Sequence, residues 1–227
     1  VGVIGCGRKG TGHARAYALY PDTEVVAAAD SDPDNLALFC DRFNLEKGYG
    51  DYREMLERED IDIAAPILPV VAHPEAVIAC AEAGVRAIFC EKPIATSLAD
   101  ADRMIAATTA NDVLLSIDHT RRWDPMHLKV REMVLSGELG PLRTIHSELY
   151  SPRAMLFRNG THSIDLINFF AGKRKCMTMG FSPDFTKLEL TDGVHKHLSS
   201  IEPIPHAIVD NGPVFENIME GDDIDVE

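Results

Sequence analysis

Along the first 119 residues, short apolar runs alternate with longer amphipathic ones, the pattern of repeated strand–helix–strand units. The runs at 1–4, 25–29, 61–65, 85–90 and 113–117 are nearly continuous in apolar character. Parallel strands covered on both faces read this way. Between them, apolar residues at helical spacing predict helices over 11–20, 33–43, 51–57, 74–83 and 97–111. Ser97, with acids in the turn that follows, marks a helix start, and Gly84 marks a helix end. The fold class is α/β, with an N-terminal parallel sheet.

The pattern changes at His119-Thr120-Arg121-Arg122-Trp123-Asp124-Pro125, which sets a boundary between a domain over 1–119 and another over 120–227. A helix over 126–136 ends at Gly137, and a further helix is expected over 161–170. Between them, 142–150 sets Ile145 and Leu149 against His146 and Glu148, the period of a strand with one wet face in an antiparallel sheet. Beyond Gly172 strand-like patterning is confined to 187–190 and 204–209. The last stretch, 209–227, holds seven acids and no Lys or Arg, the composition of a solvated tail. The second domain is therefore expected to be a shortened α/β unit whose open sheet edge is covered by another subunit, in a homo-oligomer (a dimer or tetramer).

Composition narrows the partners. The 227 residues are 45% hydrophobic and 26% charged, as in an ordinary globular protein. A net charge of −14 with no basic stripe argues against nucleic acid. No apolar stretch is long enough to span a membrane. The five cysteines (6, 40, 80, 90 and 176) lack metal-ligand spacing, so no metal is expected, and they read as small apolar residues in a reducing cytoplasm.

Two motifs carry chemistry, each where a strand runs out, the edge at which open α/β sheets bind ligands. In Gly5-Cys6-Gly7-Arg8-Lys9-Gly10, Gly5 allows a tight turn, Gly7 lets a pyrophosphate approach the backbone, and Gly10 permits close helix–strand packing. The helix opening near Gly10 offers free N–H groups and its positive dipole end to the phosphates. Asp30 ends the second strand about twenty residues further on, where a carboxylate accepts from the adenine ribose hydroxyls. That acid favours NAD over NADP, and Arg8 and Lys9 nearby can soften the preference. Asp30 also suits a plain turn in Asp30-Ser31-Asp32-Pro33.

The second motif, Glu91-Lys92-Pro93, follows the apolar run 87–90. A lysine at that edge is partly desolvated, which lowers its pKa and suits it to hydrogen-bond a substrate hydroxyl or share in proton transfer. An exposed lysine at a strand end is the plainer alternative.

These blocks resemble the glucose–fructose oxidoreductase/inositol dehydrogenase/rhizopine catabolism (Gfo/Idh/MocA) family. The likeness runs through Gly5-x-Gly7-x-x-Gly10-x-x-His13, Ile61-Asp62 with Pro66 and His73, and Glu91-Lys92-Pro93-Ile94-Ala95-Thr96. It continues through Arg122 and Pro125, Gly137-Glu138-Leu139-Gly140, and Gly160-Thr161-His162-Ser163-Ile164-Asp165. The resemblance implies a Rossmann domain followed by an α/β domain with an open, largely antiparallel sheet. It also implies NAD(P)-dependent oxidation or reduction of a sugar, cyclitol or related polyol. By it, Lys92 corresponds to the catalytic lysine and His162 to the acid/base histidine, while Leu68, His73 and Glu91 lie at the cofactor. Asp165, one helical turn beyond His162, would orient the ring or bond the substrate.

Two features depart from the family pattern. Arg158 stands where many relatives carry an acid, and a cation there would depress the pKa of His162 or bind an anionic substrate group. The region after Gly172 is also short. These departures leave room for two rivals: a dinucleotide-binding sensor or assembly subunit without turnover, and an NAD-assisted glycoside-cleaving enzyme.

Overall fold

The computed structural model describes residues 1–147 and 159–172, which fall in two compact units, Val1–Asp118 and His119 onward. The first unit is a parallel sheet of six strands: β1 (Gly2–Ile4), β2 (Ala27–Ala29), β3 (Gly48–Tyr49), β4 (Ile63–Pro66), β5 (Ala87–Cys90) and β6 (Leu114–Ile117). Its order is β3-β2-β1-β4-β5-β6, so successive strands step outward to one side of β1 and then to the other. That reversal leaves a crevice between β1 and β4 at their carboxyl ends, where a doubly wound sheet takes its ligand.

Alternation along each strand divides the core. Val3, Ala28 and Ala65 face one side, where Ala14 of α1 (Arg8–Leu19) and Phe39 of α2 (Pro33–Phe43) cover them. Ile4, Ala27, Ala29 and Ala64 face the other, beneath α3 (Tyr52–Arg58), α4 (His73–Glu82) and α5 (Leu98–Ala110), whose Met55, Val77 and Met104 are fully buried. Three consecutive alanines make up β2, and each is essentially inaccessible. The small side chains let helices lie close on both faces of the sheet.

Helix starts follow local side-chain chemistry. Asp32 accepts from the N–H groups of Asp34 and Asn35 ahead of Pro33, and Ser97 accepts from Asp100 N–H as its sequence position predicts. Helix α1 differs: it begins at Arg8, three residues before the expected start, and its first turn has no side-chain cap.

Strand β3 is absent from the sequence reading. It has two residues, Gly48 and Tyr49, too few to show a period, and it exists because Ala28 and Ala29 of β2 pair with it.

In the second unit, α6 (Pro125–Ser136) opens on Asp124, which accepts from Met126 and His127 N–H, and closes at Gly137 with φ 83°. Helix α7 (Thr161–Ala171) packs with α6, and Arg131 donates to the Phe169 carbonyl at 3.0 Å. Of the strand expected over 142–150, residues 142–147 carry no strand assignment and the rest lie outside the described residues. Residues 148–150, the strands expected at 187–190 and 204–209, Arg158, Cys176 and the acidic end lie outside the described residues.

Candidate active site

The glycine turn is built by steric exclusion. Gly5 has φ +100°, and a Cβ there would overlap the Ile67 carbonyl of the neighbouring β4 loop. A Cβ on Gly10 would overlap the Gly5 carbonyl, so α1 can lie this close to β1 only with glycine at that position. Gly7 is different in kind. Its φ of −67° suits any residue, and a Cβ there would meet nothing within 4 Å. The open space at Gly7 faces outward from the turn, as needed where a pyrophosphate approaches.

Electrostatics agree with that reading. The first turn of α1 carries no acid and Gly7 brings no capping side chain, so its N–H groups and positive dipole end are left for an anion. Asp30 closes the turn from the side: Cys6 N–H donates to its Oδ2 at 2.6 Å, and Asp32 N–H to its Oδ1 at 2.9 Å. Each oxygen keeps acceptor capacity for a ribose hydroxyl. The residues present therefore fit a dinucleotide on geometry and on charge.

At the neighbouring strand ends three acids and bases are packed together. His13 Nε2 lies 3.3 Å from Glu91 Oε1 and 3.3 Å from Asp118 Oδ2, with all three side chains largely buried. Burial pulls the His13 pKa down, but hydrogen bonds to Asp118 and Glu91 outweigh it and raise the value to about 9. For Glu91, burial works upward, and the His13 hydrogen bond with Lys9 and Lys92 nearby brings the net shift below the usual carboxylate range. Lys9 Nζ reaches Glu91 at 3.6 Å from a largely exposed position, a weak pair. The ligand atoms of His13, Glu91 and Asp118 lie within 4.8 Å of one another, close enough for a cation, but at neutral pH the histidine proton holds that place.

Lys92 follows directly. Its N–H donates to Glu91 Oε2 at 3.1 Å, its side chain is half-buried, and the Lys92–Pro93 bond is cis. His73, 1% exposed, spans two loops, with Nδ1 2.9 Å from the Pro93 carbonyl and Nε2 2.9 Å from the Leu68 carbonyl. Burial holds its pKa below the ordinary value despite those carbonyls, and the ring packs between the loops after β4 and β5. The Leu68 side chain lies against Gly5. Burial also pushes the Cys6 thiol up to about 12, so it acts as a packing group.

In the second unit, Asp165 is bonded by Arg122, through Nε at 2.9 and 2.8 Å and Nη2 at 2.6 Å. His119 Nδ1 lies 3.8 Å from the same carboxylate, and the His119 ring stands edge-on to His162 at 6.4 Å between centroids. Asp165 thus serves Arg122 first, a partner its helical spacing with His162 did not indicate.

Sequence reasoning missed Asp118 and did not assign His13 to this cluster. The available signal was positional: Asp30, Glu91 and Asp118 each stand immediately past a strand's carboxyl end.

Comparison with known proteins places the chain. Residues 1–119 match a family model described as the oxidoreductase family, NAD-binding Rossmann fold (Gfo/Idh/MocA). The chain belongs to this family. Among its relatives, the myo-inositol 2-dehydrogenase of Thermotoga maritima is 39% identical over 140 residues, covering 62% of this chain and 42% of that protein. The D-apiose dehydrogenase of Paraburkholderia graminis is 31% identical over 185 residues, covering 75% and 49%. A crystal structure of a probable dehydrogenase from Thermotoga maritima superposes with a TM-score of 0.71 at 29% identity, covering 86% of this chain and 60% of that one. The chain matches less than half the length of these two curated relatives. Its first unit has the NAD-binding Rossmann fold of that family.

Proposed function

We propose that the protein oxidises or reduces a CH–OH group of a sugar, cyclitol or related polyol, using NAD. The observation that carries this reading is the continuity between the glycine turn and Lys92: Glu91, adjacent to Lys92, is bonded by His13 of α1, the helix that opens at the turn. Bound NAD would supply the hydride acceptor. Gly7, the first N–H groups of α1 and Asp30 hold the dinucleotide, while Leu68 and His73 shape the loop beside Gly5.

Lys92 donates a hydrogen bond to the reacting hydroxyl and stabilises it as the proton leaves. His162 takes that proton as a general base. Asp165, already occupied by Arg122, positions the start of α7 rather than meeting substrate. Residues 1–119 form the nucleotide domain and 120–227 the substrate domain. The names of the relatives, inositol and apiose dehydrogenases, support a polyhydroxylated substrate.

The test is NADH titration followed by NAD reduction across a panel of inositols and aldoses. Binding together with reduction of NAD by at least one polyol is expected. Binding without turnover across the panel would leave the sensor reading in its place.

A further inference from the structure

Asp118 is 4% exposed, and its carboxylate stands just past β6 with His13 Nε2 3.3 Å from Oδ2. The backbone fixes where that carboxylate sits. Asp118 N–H donates to the Cys90 carbonyl at 2.8 Å, and Glu91 N–H donates to the Pro66 carbonyl at 3.0 Å. The ends of β4, β5 and β6 are thereby tied together, and the ligating oxygens of Glu91 and Asp118 come within 4.8 Å of each other. His13 reaches between them from α1, its ring 5.8 Å from that of Phe89. Nε2 carries one hydrogen, and the two carboxylates share it at 3.3 Å each.

Glu91 divides its oxygens between two tasks. Oε1 meets His13, and Oε2 accepts the backbone N–H of Lys92 at 3.1 Å. A glutamate side chain is flexible, so the oxygen that holds Lys92 is only as fixed as the oxygen that meets His13. Two buried carboxylates this close repel each other without a cation between them, and an apolar residue at 118 would pack at less cost. Asp118 is explained by its effect on His13. With both acids beside it the ring stays protonated through neutral pH, and Glu91 always meets a donor.

We propose that Asp118 is a positioning residue: through His13 and Glu91 it holds Lys92 in place for proton transfer. The inference rests on the reading of Lys92 as the group that bonds the reacting hydroxyl. The contacts run from Asp118 Oδ2 to His13 Nε2, from there to Glu91 Oε1, and from Glu91 Oε2 to the Lys92 N–H. All four residues belong to the first unit. Without Asp118 the His13 ring turns more freely, Glu91 loosens, and the Lys92 backbone shifts. A misplacement of about 1 Å in a reacting group costs a large part of turnover.

The experiment uses the whole chain, Asp118→Ala, Asp118→Asn, and each of these combined with Lys92→Ala, with thermal melts to confirm folding. Hydrogen exchange at the Lys92 amide reads the positioning itself, with the Ile88 amide inside β5 as reference. In Asp118→Ala the Lys92 amide is expected to exchange about tenfold faster, while Ile88 changes by less than about twofold. Its kcat for NAD reduction is expected to fall about tenfold, with NADH affinity within about twofold of wild type. Asp118→Asn keeps an oxygen for Nε2 and is expected to show about a threefold change in each. In the Lys92→Ala background the same substitutions should cost less than about twofold further, because their effect passes through Lys92. A full additional loss in that background shows that Asp118 acts elsewhere and overturns the proposal. Unchanged Lys92 exchange or unchanged turnover in folded Asp118→Ala overturns it too, and Asp118→Asn decides if the alanine variant does not fold. A wild type that reduces NAD with no polyol removes the Lys92 reading instead. The exchange result then supports or overturns the Asp118–Lys92 link by itself.

Discussion

Cys6 N–H donates to Asp30 Oδ2 at 2.6 Å, so the carboxylate that ends β2 also holds the turn that follows β1. One side chain thereby links the two halves of the proposed nucleotide site, and its removal is felt twice.

In Asp30→Ala, the Cys6 and Asp32 amides lose their acceptor. Hydrogen bonds to charged groups are worth about 1.5–3 kcal/mol each, reduced here by partial exposure. We expect a stability loss of about 1–2 kcal/mol in chemical denaturation and a fall of about tenfold or more in NADH affinity. Asp30→Asn should recover much of the stability and little of the affinity. Equal NADH affinity in Asp30→Ala would remove the ribose role.

Gly7 and Gly10 should separate binding from folding. Gly10→Ala forces a methyl against the Gly5 carbonyl and should cost about 3 kcal/mol or prevent folding. Gly7→Ala places its methyl in open space at an ordinary φ, so stability should change by no more than about 1 kcal/mol. That methyl occupies the approach of the pyrophosphate, and NADH binding should weaken by at least about tenfold. The check is paired melting curves and titrations.

His13 makes stability depend on pH. Its pKa is about 9 in the folded chain against an ordinary 6.5, so its contribution is complete below about 6.5 and is lost as pH rises through about 9. Solvent screening and its coupling to Glu91 limit the effect to about 1–2 kcal/mol. Denaturant midpoints should fall between pH 7 and about 9 in the wild type and stay flat in His13→Gln. His73 acts in the opposite direction: with its pKa held low, stability is lost as pH drops below about 6.5.

Arg122→Ala leaves the Asp165 carboxylate buried without its bidentate partner. Arg122 is 42% exposed, which discounts the usual cost of breaking a buried pair to about 2 kcal/mol. Arg122→Lys keeps the charge without the fork and should recover only part of that. Urea midpoints of the three proteins decide it; an unchanged midpoint in Arg122→Ala would show that the pair contributes nothing.

Among the described residues, five of the six strands and all seven α-helices were legible in the sequence because their apolar periods are long enough to read. Two-residue β3 was not, since pairing with β2 and not its own composition makes it a strand. The early start of α1 at Arg8 also escaped the reading, because no capping side chain announces it. The glycine turn and Asp30 could be placed from spacing, as each glycine answers a local steric need. The His13–Glu91–Asp118 cluster could not, because its members come from α1 and two different strand ends, which only the strand order brings together. Asp165 shows the limit of helical spacing: it placed His162 and Asp165 on one helix face, but not Arg122 opposite them.

The central claim is that this chain couples NAD bound at the glycine turn to a polyol through Lys92. The most direct measurement is NAD reduction with the inositol and aldose panel in wild type and Lys92→Ala, alongside NADH titration of both. The account predicts wild-type turnover with at least one polyol, a loss of about a hundredfold or more in Lys92→Ala, and the same NADH affinity in each. Undiminished turnover in Lys92→Ala with NADH still bound would contradict it.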